Sequence, residues 1–457
     1  MKGSHAGMAT PRISSKLQFR HIFAFYAVVN FLYFALAKVP FVSDSQYYFE
    51  LAQTCLQQGT LYPAAHNLYD SFIIAPPYIN LLLLLLKIYN SPSTIVLFNV
   101  VLNLTQLVLF HQISGRLFEN ARYAVIAALL YILYLTNLGA VLLNLTDLFF
   151  SVLILGSYYL YLRNDAKHHL LSGLLMGAAI CIRQFGWALL FSLLVCYLFE
   201  LRPGRGRHIK LGLISTACFV AVLGFGFFVK HNFGHFVYTS THGAHTILMG
   251  GNEFATGTHS ARSFEPGARG FIENAEKMTF SEKRTYWQSQ AFDWITSHPM
   301  QWLALVPKKL FYTFIWDDWS LPGLLNTSEW NAFVVLKMVV KEGRLSEVFE
   351  GRSFVFKVAF VTVHLFHHAY YFILLALMLC QFRAYGNTQW RTKFMPIYLF
   401  AAFSLCITML GVGSARYKYP YFLMMIFTLV PMLNYYIERK TLLLRRPENT
   451  ASTAVGS

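Results

Sequence analysis

Residues 76–89 read PPYINLLLLLLKIY, and how this stretch meets the membrane decides the topology of the whole chain. It is apolar, but its 14 residues fall short of the roughly 20 that a helix needs to cross a bilayer core. If it spans, the short loops carrying Arg116 and Arg122, Arg163 and Lys167, and Arg202, Arg205, Arg207 and Lys210 all lie outside the cell. That opposes the retention of Lys and Arg in cytoplasmic loops at every one of them. If it lies in the interface or dips into the outer leaflet, every basic loop falls inside. The second topology is the one expected.

Composition frames this choice. Of the 457 residues, 56% are hydrophobic and 13% charged, whereas soluble chains carry about 25% charged residues. Several apolar runs reach span length, and backbone groups in lipid must be satisfied within the segment, so the spans are expected to be helices. The expected fold is all-α, a polytopic transmembrane helix bundle. Its spans fall near 20–39, 95–114, 121–138, 147–162, 169–182, 185–201, 209–229, 355–379, 395–412 and 419–437. Residues 1–229 form an N-terminal transmembrane catalytic module that includes the first outer loop, 40–94. Residues 230–354 form a large extracytoplasmic segment, and 355–457 the C-terminal helices with a basic tail. The first 19 residues are basic and lack the shape of a cleavable signal, so the first span is expected to remain as an anchor with both termini cytoplasmic.

The net charge of +16 sits mostly in loops, where it sets topology and favours anionic lipid. No basic patch interleaved with aromatics is present, so nucleic acid is not an expected partner. The six cysteines show neither a disulfide framework nor zinc spacing. Gly173 and Gly177 have the spacing of close helix packing. In the outer segment, 281–295 is helical in pattern and 302–316 suits an interfacial helix, with Trp316 and Trp319 at headgroup level. No internal repeat or mid-membrane helix break is evident, so the signature of a secondary transporter is missing.

With this topology four outer segments carry polar residues at membrane depth, where ionisable groups are functional candidates. The first loop, FVSDSQYYFE at 41–50, puts Asp44 just beyond the first span, followed by Tyr47 and Tyr48 and by a short helix, 46–58, ending at Gly59. The turn before 147–162 carries Asn144, Thr146 and Asp147; the next outer turn carries Arg183 and Gln184; the last carries Ser414, Arg416 and Lys418. Acids and bases on one face suit an anionic phosphate leaving group and a hydroxyl that must lose a proton. The blander alternatives are helix caps, internal ion pairs and lipid anchors. Among the outer histidines 231, 235, 242, 245 and 259, His231 and His235 have i,i+4 metal-pair spacing without the accompanying glutamate. His364, His367 and His368 suit packed histidines.

The ordered set of motifs resembles the GT-C superfamily of integral-membrane glycosyltransferases, and within it the bacterial group related to protein O-mannosyltransferases and lipid A aminoarabinose transferases. SDSQYYFELAQTCLQQG, APPYINLLLLLLKIYN, LTDLFFSVLILGSYYLYLR with SGLLMGAAICIRQFG, and ILMGGNEFATG with SARYKYPYFL carry it. The resemblance implies a polyprenyl-phosphate-linked sugar as donor and Asp44 as the base that deprotonates an acceptor. It implies Arg183 and Arg416 on the donor phosphate, and brings in Asn252 and Glu253 of the outer Gly-Asn loop. Ser45 stands where many members have a second acid, and Ala75 where aminoarabinose transferases carry Lys before Pro-Pro; Lys87 is the candidate substitute.

The chemistry is compatible with these residues. A carboxylate serves as base and Arg or Lys stabilises the departing phosphate. A single base in line with the sugar predicts inversion. The expected catalytic pair is Asp44 and Asp147, with Tyr47, Tyr48, Lys87, Arg183, Asn252, Glu253, Arg416 and Lys418 binding substrate. No cofactor is expected; Mg or Mn between Asp44 and Asp147 is the alternative. The expected setting is a bacterial inner membrane, with the site facing the periplasm and a lipid, glycan or protein acceptor. The competing classes are a transporter or lipid flippase and a non-catalytic membrane subunit in which Asp44 is dispensable.

Overall fold

A computed structural model describes residues 15–37, 41, 43–118, 121–199, 205–325, 351–384 and 388–444. The described residues are helical and contain no strand. The N-terminal half holds α1 (Ser15–Leu36), α2 (Asp44–Gln58), α3 (Pro76–Ile88), α4 (Pro92–Phe118), α5 (Ala121–Leu133), α6 (Thr136–Gly139), α7 (Thr146–Tyr161), α8 (Ala166–Ile182), α9 (Gly186–Phe199) and α10 (Arg205–Phe233). The outer segment contributes α11 (Gly243–Gly250), α12 (Phe280–Ser297), α13 (Pro299–Phe314) and α14 (Leu321–Leu324). Then come α15 (Phe354–Ala384), α16 (Thr388–Leu410) and α17 (Tyr419–Leu444).

By length and composition, five described helices can cross a membrane, or six if the bent pair 121–133 and 136–142 is one span. This agrees with the expected all-α bundle of membrane helices. Thr146–Tyr161, Ala166–Ile182 and Gly186–Phe199 are apolar but short, like Pro76–Ile88. Polar turns cut them off before the roughly 30 Å of a bilayer core is covered. The 60° bend between Leu133 and Thr136 is a helix break that the apolar run had concealed. Its polar residues turn inward, Thr136 Oγ1 donating to Asp317 Oδ2 at 2.9 Å and Ser320 Oγ to the Thr136 carbonyl at 3.1 Å.

Helix α17 is the core of the bundle: Tyr419 to Leu423 are all buried, as are Phe427 and Val430. Polar side chains cross-link its neighbours. Asn103 Nδ2 of α4 donates to Asn30 Oδ1 of α1 at 2.8 Å, and Tyr419 OH donates to Asn137 Oδ1 at 2.9 Å. Such bonds hold helices together where no hydrophobic drive separates protein from lipid. Helix α8 packs on α7 and α10. A Cβ on Gly173 would meet the Ile214 carbonyl at 2.2 Å, and one on Gly177 the Ala221 Cβ at 2.6 Å, so both glycines permit the α8–α10 approach.

The segment that holds α11 to α14 is latched to this bundle. Lys309 of α13, fully buried, donates to the carbonyls of Gly250 and Met409, both at 2.8 Å. Burial pushes its pKa down to about 8. Helix α12 begins with a capping box in which Glu282 N donates to Thr279 Oγ1 and Thr279 N to Glu282 Oε2. Lys283 then ties α12 to the first loop through the Tyr69 carbonyl at 2.6 Å. Trp319 is not at headgroup level alone: its ring meets Tyr419 edge-on at 5.5 Å.

Candidate active site

Four elements far apart in sequence bring their charges together. Asp44 starts α2, one residue beyond Ser43, whose φ of 51° is left-handed. Gly59, at φ 63°, closes that helix. The expected helix therefore begins two residues earlier than the pattern 46–58 indicated, and Asp44 belongs to its first turn. Asp147 lies in the first turn of α7, Arg183 follows α8, and Arg416 sits in a single 3-10 turn, Ala415–Lys418.

Arg416 joins the two acids. Its Nη1 donates to Asp44 Oδ2 at 2.8 Å and its Nε to Asp147 Oδ2 at 2.6 Å. Arg183 Nη1 donates to the other Asp147 oxygen. The Asp147 side chain is 1% exposed and Asp44 58% exposed. One acid is therefore buried with both oxygens engaged, and the other faces open space with Oδ1 free of protein hydrogen bonds. Burial alone would lower the Arg416 pKa, but Asp147 and Asp44 beside it hold it above the ordinary range. Beneath them Tyr78 OH donates to Asn144 Oδ1 at 3.0 Å, and Asn144 Nδ2 to the Ser45 carbonyl at 3.0 Å. These bonds pin the start of α2 to α3 and to the turn before α7.

The group opens into a cavity of about 880 Å³. Asp44, Tyr47, Tyr48, Arg183, Arg416 and His242 line its polar end. One wall is apolar, built by Trp187, Leu190, Phe191 and Leu194 of α9 with Phe219 of α10 and Ile407 of α16. Burial pushes the His242 pKa down to about 4. Ser43 and Ala75, which also line the cavity, are two of the three described non-glycine residues with positive φ. At 51° and 28° both carry the strain that collects at functional sites, about 1–3 kcal/mol each.

The structure brings Asp44, Tyr47, Tyr48, Arg183 and Arg416 to one cavity and separates the other expected residues from it. Lys418 is fully buried on the far side of its turn, where Nζ pairs with Asp317 Oδ1 at 2.8 Å. A one-turn 3-10 element points residues 416 and 418 in different directions. Lys418 and the His367 ring hold the Asp317 carboxyl down at about 2, against the opposite push of burial. Asn252 is a buried loop staple donating to the Leu248 carbonyl at 2.6 Å, and Glu253 pairs with Arg269 at 3.3 Å. Lys87 lies exposed in the last turn of α3, at the opposite end from Ala75. Asp147 is beneath the cavity rather than on its lining.

Two carboxylates need further ligands, yet Arg416 already occupies the space between them, and no three His, Cys, Asp or Glu converge among the described residues. His231 and His235 do not share a helical face, because α10 stops at Phe233 and Gly234 turns left-handed at φ 84°. Arg284 and Gln288 of α12 also line the cavity; the sequence pattern placed both on a helix, and their i,i+4 spacing puts them on one face of it.

No protein-family model matches the chain, and no curated protein matches it. Among solved structures, a crystal structure of the Archaeoglobus fulgidus oligosaccharyltransferase, a complex with Zn and sulfate, is similar at 12% identity with a TM-score of 0.47. The alignment covers 93% of this chain and 51% of that one, so the chain spans about half the length of that protein.

Proposed function

We propose that the protein is a membrane glycosyltransferase that moves a sugar from a polyprenyl-phosphate donor to an acceptor hydroxyl on the extracytoplasmic face. The observation that carries this reading is the pairing, in one cavity, of an accessible carboxylate and two arginines with an apolar wall. The lipid chain runs along Trp187, Leu190 and Phe191 of α9. The phosphate meets Arg416 and Arg183. Asp44 Oδ1 takes the proton from the acceptor hydroxyl.

The acceptor oxygen forms a bond to the anomeric carbon as the bond from that carbon to the phosphate oxygen breaks. Polyprenyl phosphate leaves with the electron pair, and the two guanidiniums stabilise its growing charge. Asp147 is a positioning residue, since both its oxygens hold arginines. With one accessible acid, a single displacement with inversion follows; a retaining path needs a nucleophile and an acid about 5 Å apart at the sugar. The sequence motifs resembling GT-C transferases support the same reading, as does their expected inner-membrane setting with the site facing the periplasm.

The test is incubation of the purified protein with a panel of polyprenyl-phosphate sugars and candidate acceptors, with Asp44→Asn alongside. Turnover by the native protein and its loss in the variant support the reading. Movement of lipid across vesicles without consumption of donor would instead identify a flippase.

A further inference from the structure

Among the described residues, one cation that lines the cavity is not answered by the cavity's own acids. Arg183 and Arg416 are both paired within the Asp44–Asp147 group. Arg284, in contrast, lines the same cavity from α12, exposed and with no ion pair or hydrogen bond among the described residues. Gln288 lies one turn further along the helix and lines it as well, so both side chains share one helical face.

The helix that carries them is firmly placed. Lys283, next to Arg284, is 3% exposed and bonds the Tyr69 carbonyl at 2.6 Å. Trp287 is 7% exposed and donates its Nε1 to the Gly270 carbonyl at 2.9 Å. Trp287 and Ala291 also pack with Ala244 and Leu248 of α11. The α11–α12 pair thus presents a guanidinium and an amide to the cavity from a rigid support.

We propose that Arg284 and Gln288 form a second anion subsite, which takes a phosphate or carboxylate on the polar part of a substrate. A guanidinium grips such oxygens bidentately, and the amide N–H adds a further donor. This rests on the sugar-transfer reading for its occupant: either an anionic group near the acceptor hydroxyl, or the second phosphate of a diphosphate donor.

The test uses the full chain in lipid nanodiscs and three probes: glucose 1-phosphate, decaprenyl phosphate and decaprenyl diphosphate. Arg284→Gln is expected to weaken binding of one anionic probe by about tenfold, the scale of one charge-assisted hydrogen bond. Arg284→Lys is expected to restore part of it. A loss confined to glucose 1-phosphate assigns the subsite to an acceptor. A loss confined to the diphosphate, with the monophosphate unchanged, assigns it to the donor. Unchanged affinity for all three in Arg284→Gln, or no binding of either glucose 1-phosphate or the diphosphate by the native chain, overturns the subsite. Failure of the sugar-transfer reading is separate: it appears as absent turnover on the donor panel, whatever Arg284 binds.

Discussion

Arg416 and Asp44 lie 372 positions apart and meet at 2.8 Å. The same guanidinium continues to Asp147 at 2.6 Å, so one side chain connects an accessible carboxylate to a buried one. The two acids should therefore fail differently. Asp44→Asn is expected to cut turnover by roughly 10²–10⁴, the range for a lost general base, with thermal unfolding unchanged. Asp147→Asn removes the buried carboxylate that both guanidiniums share, leaving Arg183 without its acid partner. Losing one partner of a buried pair costs about 3–5 kcal/mol, so its melting temperature falls as well. Equal melting temperatures for the two variants would contradict this division.

The Lys418–Asp317 pair, with neither side chain exposed, is expected to brace the turn that aims Arg416. Lys418→Met strands a buried carboxylate and should cost about 3–5 kcal/mol. Adding Asp317→Asn removes the stranded charge, so the double variant should be more stable than Lys418→Met alone. A double-variant cycle by denaturation measures the coupling, and strict additivity would contradict it.

Gly173 and Gly212 offer a matched comparison on packed helices. A Cβ at Gly173 would meet backbone at 2.2 Å, whereas one at Gly212 meets nothing within 4 Å. Gly173→Ala is expected to destabilise by about 1–3 kcal/mol through overpacking. Gly212→Ala should be neutral or stabilising by up to about 1 kcal/mol, since alanine is the better helix former. Thermal unfolding of both variants decides it.

His242 supplies a pH prediction. Its pKa falls to about 4 in the folded protein from the ordinary 6.5. The unfolded chain thus takes up this proton first as pH drops. The His242 contribution to stability is complete above pH 6.5 and is lost progressively between 6.5 and 4. His242→Gln should therefore lose less melting temperature than the native protein between pH 7 and pH 5. An identical acid limb in both proteins would contradict the assignment.

Much of the site was legible in the linear chain, for a physical reason. Asp44, Arg183 and Arg416 are costly at the ends of apolar runs, and the positive-inside rule assigned them to one side without using them. Lys418 was misassigned because pattern alone does not say which way a single 3-10 turn aims each residue. Arg284 and Gln288 were missed because a helical pattern over 281–295 does not say which of its polar residues face a cavity, and Asp317 because its partners Lys418, His367 and Thr136 are distant in sequence.

The Asp44–Asp147–Arg183–Arg416 group sums to zero formal charge before anything binds. In the sugar-transfer reading proposed above, an arriving lipid phosphate would not fall into a bare positive well; it would have to trade places with Asp44 at the Arg416 guanidinium. On that reading the exchange would liberate the carboxylate as the phosphate docks, and reversing it after transfer would help eject the spent carrier. Donor capture should accordingly respond only weakly to added salt, since an internal anion is swapped for an external one.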